Sequence, residues 1–220
     1  MVHIEHFTVN AFMERCSIVW DEEGNCAFVD PGCGNEKELA EVTSFVKQKG
    51  LKPVCIMLTH GHFDHVLGVA ELAAAYGGLP VYMNPADKVT VDSNSYFSRM
   101  FNVDDPAPFM TSDIAEGSII EVGNLRFEVL ETPGHTPGGV SYLERNEKIL
   151  FSGDTLFAGS IGRTDLPGGD YDALMKSIFE KLIILDGDVK VIPGHGPASE
   201  IAQERTTNPF LQPFNEPYDN

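Results

Sequence analysis

Basic residues are scarce in this sequence. Fifteen Lys and Arg stand against 33 Asp and Glu over 220 residues, a formal net charge of −18. So acidic a surface repels phosphate backbones and anionic headgroups, which removes nucleic acid and membrane surfaces as default partners. No apolar run approaches the roughly 20 residues that a membrane-spanning helix needs. The opening residues, Met1-Val2-His3-Ile4-Glu5-His6-Phe7, have neither the basic nor the apolar stretch expected of a signal peptide. Cysteine is sparse too: Cys16, Cys26, Cys33 and Cys55 include no C-x-x-C pair. That argues against a redox pair, a zinc ribbon or a disulfide framework, and predicts plain thiols in a reducing cytoplasm. Repeats, low-complexity tracts and linker-like stretches are also lacking. With 42% hydrophobic residues the chain can bury a sizeable core, and one α/β domain over 1–220 is expected.

The apolar pattern predicts the elements. Ile4 to Val9, Cys16 to Trp20 and Cys26 to Val29 read as strands, the last two joined by a turn at Glu22-Glu23-Gly24-Asn25. Helical period takes over at 36–49, with Asn35 and Glu38 as a capping box and Gly50 as the stop. The run Val54 to Leu58 predicts a strand buried on both faces. A helix is expected over 65–76, and short helical pieces with loops over 84–118. Further strands are predicted at 125–129, 140–143, 149–151 and 189–192. Helices are predicted at 171–183, capped by Asp170, and at 199–206. The tail from Thr207, with three prolines, reads as an ordered extension or a frayed end.

The chemistry lies in the histidines. Five of the seven fall in three short segments: Thr59-His60-Gly61-His62-Phe63-Asp64-His65, Pro133-Gly134-His135-Thr136-Pro137 and Pro193-Gly194-His195-Gly196. A fourth segment, Ser152-Gly153-Asp154-Thr155, supplies a carboxylate. Each follows a predicted strand, and ligands gather at the carboxyl ends of strands in α/β sheets. Imidazole and carboxylate suit Zn²⁺ and non-haem iron. His60 and His62 can address one ion, Asp64 and His65 another, with Asp154 between them. Two ions sharing a carboxylate make hydroxide available near neutral pH and polarise a carbonyl. His3 and His6 stand alone at strand spacing and are read as non-ligands.

At these residues the chain resembles the metallo-β-lactamase superfamily, over nearly its whole length. The resemblance implies a four-layer αββα sandwich. It also implies one metal held by His60, His62 and His135, and a second held by Asp64, His65 and His195, with Asp154 bridging. Gly153-Asp154-Thr155-Leu156-Phe157 and Gly162-Arg163-Thr164-Asp165 are similar to the glyoxalase II (hydroxyacylglutathione hydrolase) branch. Glu204-Arg205-Thr206-Thr207-Asn208-Pro209-Phe210 is similar to the closing motif of its short bacterial members. Class B lactamases commonly carry Cys or Ser among the ligands, flavodiiron proteins replace the second His with Glu, and RNA-processing members are longer or more basic. The branch implies a small-molecule thioester substrate resembling S-lactoylglutathione, cleaved at two divalent cations. Zinc is the expected metal, with iron or manganese as alternatives. Asp64 and Asp154 are the candidate catalytic carboxylates.

No Lys or Arg follows Arg205 to hold a glutathione carboxylate, which leaves Arg163 as the candidate substrate-binding residue; pairing with Asp165 or Asp172 is its structural alternative. Persulfide dioxygenases share the fold and the H-x-H-x-D-H motif, but use one iron on His60, His135 and Asp154. A non-catalytic, metal-stabilised binding protein is the third reading. The apolar residues Phe97, Met100, Phe101 and Phe109 fit core packing, a substrate entrance or a subunit contact. Nothing in the sequence bears on the oligomeric state.

Overall fold

The computed structural model describes residues 1–212. The calls on the tail beyond Gln212 therefore lie outside the described residues. Strands β1 (His3–Val9), β2 (Glu14–Trp20), β3 (Asn25–Val29), β4 (Lys52–Met57), β5 (Val81–Met83) and β6 (Ser112–Asp113) form one sheet in that order. The first two pairings are antiparallel and the rest parallel. The second sheet holds β7 (Ile119–Val122), β8 (Leu125–Glu131), β9 (Val140–Glu144), β10 (Ile149–Gly153), β13 (Lys190–Pro193) and β14 (Ser199–Glu200), in the order β14-β13-β10-β9-β8-β7. A small hairpin, β11 (Leu156–Phe157) with β12 (Ser160–Ile161), follows β10.

Strand alternation builds the layers. Ala27 and Val29 of β3, with Cys55 and Met57 of β4, face the second sheet and meet Phe127, Val129, Tyr142 and Phe151. Their neighbours Cys26, Phe28, Ile56 and Leu58 face outward, onto α1 (Glu36–Lys49) and α3 (Val69–Ala75) through Val42, Val46 and Leu72. On the other side Leu143, Leu150 and Val191 pack against α5 (Tyr171–Ser177), the π-helical turn Ile178–Leu182 and α6 (Ile201–Thr207). Side chains of period two reach both faces of a strand, so a strand covered on both sides reads as continuously apolar. The result is helix, sheet, sheet, helix, the expected αββα order. Among the described residues no helix is long and apolar enough to cross a membrane.

Four local expectations change. Asn35 caps α1 through Glu38 N at 3.0 Å, but the Glu38 carboxylate accepts from Gly34 N and Asn10 N instead of closing the box. The helix expected over 65–76 starts earlier, as α2 (Phe63–Val66), and breaks before α3. Gly68 lies at the break because it packs on the Pro31–Cys33 loop; a Cβ there would sit 2.9 Å from Cys33 Cβ and 3.0 Å from Pro31 O. The short pieces expected over 84–118 are mainly one 14-residue helix, α4 (Lys88–Phe101). Its Val, Thr, Ser and Asn residues are weak helix formers. Burial of Thr90, Asn94, Phe97 and Ser98 holds it instead. Finally, the stretch expected over 171–183 is helical to Leu182, capped by Asp170 through Ala173 N at 3.0 Å, but its second half widens into the π turn.

All four cysteines are free and buried. Burial pushes the Cys26 and Cys55 thiols up to about 12, and hydrogen bonding to Cys33 together with burial pushes Cys16 well above its ordinary value. Thiolate is the reactive form. A disulfide exchange reagent at mildly alkaline pH is therefore expected to label none of them in the folded protein and all of them in guanidinium chloride. Rapid labelling of the native state would contradict this packing.

Candidate metal centre

Every segment picked out by its histidines emerges at one end of the sandwich. The chain leaves β4 at Met57, passes through His60 and His62 in an extended loop, and enters α2 with Asp64 and His65 on its first turns. His135 lies in the loop between β8 and β9, Asp154 follows β10, and His195 follows β13. Buried contacts hold the loops together. Tyr142 Oη donates to Leu58 O at 2.7 Å, joining the sheets where the His60 loop begins. Val140 N donates to Thr59 O at 2.8 Å. Gly194 N donates to Gly153 O at 2.9 Å, and Arg15 N to Gly194 O at 2.8 Å. Gly134 adopts φ +134°, and a Cβ there would fall 2.2 Å from Leu174 N, so only glycine lets the His135 loop lie against α5.

The seven predicted donors come together in two groups. His60, His62 and His135 each place a ring nitrogen within 4.8 Å of the others, and a carboxylate oxygen of Asp64 with ring nitrogens of His65 and His195 lie equally close. His62 Nδ1 stands 2.9 Å from His135 Nε2, and His65 Nε2 3.3 Å from His195 Nε2. Asp154 lies between the groups: Oδ2 is 3.6 Å from His135 Nε2 and 3.7 Å from His195 Nε2, and Oδ1 is 3.6 Å from His65 Nε2. Asp64 Oδ2 is 3.3 Å from His195 Nε2. His3 and His6 stay on β1, stacked on Trp20 and bonded to Ser17 respectively.

The far sides of the rings assign their orientation. His60 Nδ1 donates to Thr59 Oγ1 (3.0 Å), His135 Nδ1 to Arg163 O (2.8 Å) and His195 Nδ1 to Phe12 O (3.1 Å). His65 Nδ1 faces Asp30 Oδ2 at 3.2 Å. Each of these four rings is thus anchored through Nδ1 and turns Nε2 inward. Outer partners of this kind fix the tautomer and raise the basicity of a metal ligand.

Sequence reasoning missed the carboxylates behind this arrangement. Asp30, directly after β3, also accepts from Thr59 N (2.7 Å) and Thr59 Oγ1 (2.6 Å). A lone acid closing an apolar strand before Pro31-Gly32 was its one local signal. Asp87 is fully buried and accepts from Gly61 N (2.6 Å), Gly138 N (2.7 Å), Thr136 Oγ1 (2.9 Å) and Thr90 Oγ1 (3.2 Å). It ties the His60–His62 loop to the His135 loop, and nothing near it in the sequence announces that. Glu14 is buried 3.9 Å from His65 Nδ1, with burial and the neighbouring Asp30 and Asp64 carboxylates pushing its own carboxyl up.

The donor set fits divalent cations. His60 Nε2 and Asp154 Oδ1 are buried without a hydrogen-bond partner among the described residues, an expensive state for polar atoms unless a cation meets them. Burial and the neighbouring imidazoles hold His60 well below its ordinary value and His62 at about 3, so both offer lone pairs at neutral pH. Burial opposes charge on His65 also, but Asp154, Asp64 and Asp30 outweigh it and raise that ring to about 10 in the metal-free protein. Burial would raise the Asp64 carboxyl, yet His65 and His195 bring it down to about 2.

The centre opens into a groove of about 460 Å³. Phe12, Phe63, Tyr96, Phe97, Met100 and Phe101 form one wall, and Arg163, Leu166 and Pro167 the other. Arg163 Nε and Nη2 donate to the two oxygens of Asp165, each at 2.7 Å; its partner is Asp165 and not Asp172. Phe109 packs instead against the outer core of the first sheet.

Comparison with known proteins agrees with this arrangement. The family profile described as metallo-beta-lactamase superfamily matches residues 9–195. The chain is 38% identical over 212 residues to the hydroxyacylglutathione hydrolase GloC of Haemophilus influenzae, covering 96% of this chain and 98% of that protein. Among solved structures it is similar to the BLEG-1 B3 metallo-beta-lactamase, with TM-score 0.84, 32% identity, and coverage of 96% of this chain and all of that one. It is similar also to TTHA1623, crystallised in a di-iron-bound form, with TM-score 0.83, 37% identity, and 94% and 100% coverage. Fold and His-rich sites together imply binding of divalent metal.

Two outcomes follow from the geometry. Asp87→Asn places an amide donor against the Gly61 or Gly138 N–H. It should cost about 2 kcal/mol or more of stability in urea and weaken metal binding about 10- to 100-fold in competition with a chelator. Wild-type affinity in this variant would remove Asp87 from the support of the site. The second outcome concerns protons. Charged His65 stabilises the metal-free fold below its unfolded value of 6.5, and that contribution is lost as pH rises through about 10. Metal affinity runs the opposite way, because the cation must displace the Nε2 proton. Calorimetry in buffers of different ionisation heat should therefore show proton release on metal uptake, with affinity climbing between those two pH values; a flat profile would contradict it.

Proposed function

The chain belongs to the metallo-β-lactamase superfamily, and from that premise we propose that it is a metal-dependent hydrolase of thioesters or similarly activated esters. The observation that carries the reading is the inward convergence of seven donors on a groove large enough for a small molecule. His60, His62 and His135 would hold one divalent cation and Asp64, His65 and His195 the other, with Asp154 shared. When bound, the pair would supply a water that ionises near neutral pH and polarise the substrate carbonyl. Zinc is the expected metal, and the di-iron form of a relative makes iron the leading alternative.

The chain's own groups do the rest. Asp64, held at about 2, is ionised at neutral pH and can hold a water proton at Oδ2 beside His195. Asp154 aims Oδ1 and Oδ2 at both His groups and so orients whatever lies between them. The wall formed by Phe63 and Phe97 limits water at the reacting carbonyl. No further histidine stands by the site to protonate a leaving group, since His3 and His6 remain on β1. A thiolate leaves without that help and an amide nitrogen does not, which favours thioesters. The similarity to a hydroxyacylglutathione hydrolase supports the same reaction class. Four buried free thiols suit a reducing compartment, and we place the protein in the cytoplasm.

The test pairs elemental analysis of protein purified without added metal with two assays on the same sample. Thioester cleavage under argon is expected, and Asp64→Asn should lower its kcat by about 100-fold or more. Oxygen uptake with glutathione persulfide, near one iron per chain, would instead establish the mono-iron dioxygenase on His60, His135 and Asp154. Asp64→Asn would then leave turnover nearly intact.

A further inference from the structure

The groove beside the metal centre is chemically one-sided. Phe12 meets Phe63 and Phe101 edge-on, at ring-centroid distances of 4.9 and 5.0 Å, while Phe63 and Phe101 stack at 5.8 Å. Phe97 stands 6.4 Å from the His62 ring, so the aromatic wall runs up to the metal donors. Toward the mouth the apolar surface is left open: Phe101 is 48% exposed, and Tyr96 and Met100 are each 57% exposed. Cationic recognition is correspondingly poor. Arg163 is the one Lys or Arg among the lining residues, and its guanidinium is engaged by both oxygens of Asp165. The other charged lining groups outside the histidines, Asp64 and Asp154, are acidic.

A dicarboxylate thiol such as glutathione needs free cations at fixed places, and bidentate guanidinium is the usual means. The one guanidinium of this groove is already paired with Asp165 at its exposed rim. Aromatic and thioether surface, by contrast, rewards apolar groups in proportion to the area they cover. We propose that the substrate is an uncharged, apolar thioester or activated ester, with an aromatic or medium-chain acyl group lying along Phe12, Phe63, Phe97 and Phe101, and that glutathione is not the acyl carrier. The inference rests on the hydrolase reading for the position of the reacting carbonyl. Continuity of the aromatic wall with His62 is what assigns that wall to substrate and not to a second copy of the chain.

The experiment uses the zinc-loaded full chain. Thioesters of N-acetylcysteamine carrying acetyl, butanoyl, hexanoyl and phenylacetyl groups are compared with the same acyl groups on glutathione. Uncleavable thioethers of both thiols are titrated by calorimetry. In the N-acetylcysteamine series kcat/KM should rise about threefold per methylene that enters the groove, and moving an acyl group to glutathione should change it by about twofold or less. The thioethers should follow the same order in Kd. Phe101→Ala and Met100→Ala, both at exposed positions, should pull the hexanoyl-to-acetyl ratio toward one. Thioether binding in that order without cleavage of any thioester would sink the hydrolase reading and leave the apolar groove standing. Cleavage with no acyl-length preference would overturn the inference. So would an advantage of about tenfold for glutathione that Arg163→Gln abolishes. So too would a dimer that Phe101→Asp dissociates while thioether binding is unchanged.

Discussion

Two buried carboxylates set the geometry on which everything else depends. Asp87 takes N–H groups from Gly61 and Gly138 and hydroxyls from Thr90 and Thr136, and Asp30 takes Thr59 N, Thr59 Oγ1 and the back of His65. Loops that meet at the end of a sandwich leave backbone N–H groups away from water, and those groups must find acceptors. A carboxylate with two oxygens can serve several donors at once, and each bond it accepts offsets part of the cost of its own burial. These anchors act together with the Val140 N to Thr59 O bond and the His62–His135 contact, and they offset the repulsion that the imidazoles would feel if charged.

That division between anchor and ligand explains how a site with so many titratable groups stays ordered. The anchored rings expose Nε2 toward the centre and spend Nδ1 on a hydroxyl, a carbonyl or a carboxylate. The strand ends supply rigidity, since β4, β8, β10 and β13 are held in their sheets by ladders on both sides. Among the described residues, only α2 and α4 bring helix side chains into the groove. The candidate donors outside α2 therefore follow stiff strand ends, and the aromatic wall of α4 sits on a helix that tertiary contacts hold in shape. Asn94 ties that helix back to Gly61 O at 2.9 Å, so the wall is referenced to the same loop that carries His60 and His62.

Charge follows the same logic on a larger scale. The surface is strongly acidic, yet the centre gathers five imidazoles against Asp64 and Asp154. Such a cluster fits divalent cations. Arg163 sits at the rim in an exposed, bidentate ion pair with Asp165.

What the sequence determined by itself was local. Strand runs such as 54–58, the Asn35 and Asp170 caps, and His and Asp residues following strands are legible because period, propensity and capping act within a few residues. They sufficed to place the donors at strand ends within one α/β domain, while the two layers of sheet between helices were implied by the resemblance to the superfamily. Tertiary structure decided the rest. The helix over Lys88–Phe101 forms against its own weak propensity because burial of Phe97 and Asn94 outweighs it. The break at Gly68 exists because the Pro31–Cys33 loop presses there. Asp87 reaches Gly138 across 51 positions, and Phe12 joins Phe101 only in the folded groove. Contacts that distant cost chain entropy that only the assembled core can offset, so no window of sequence contains them.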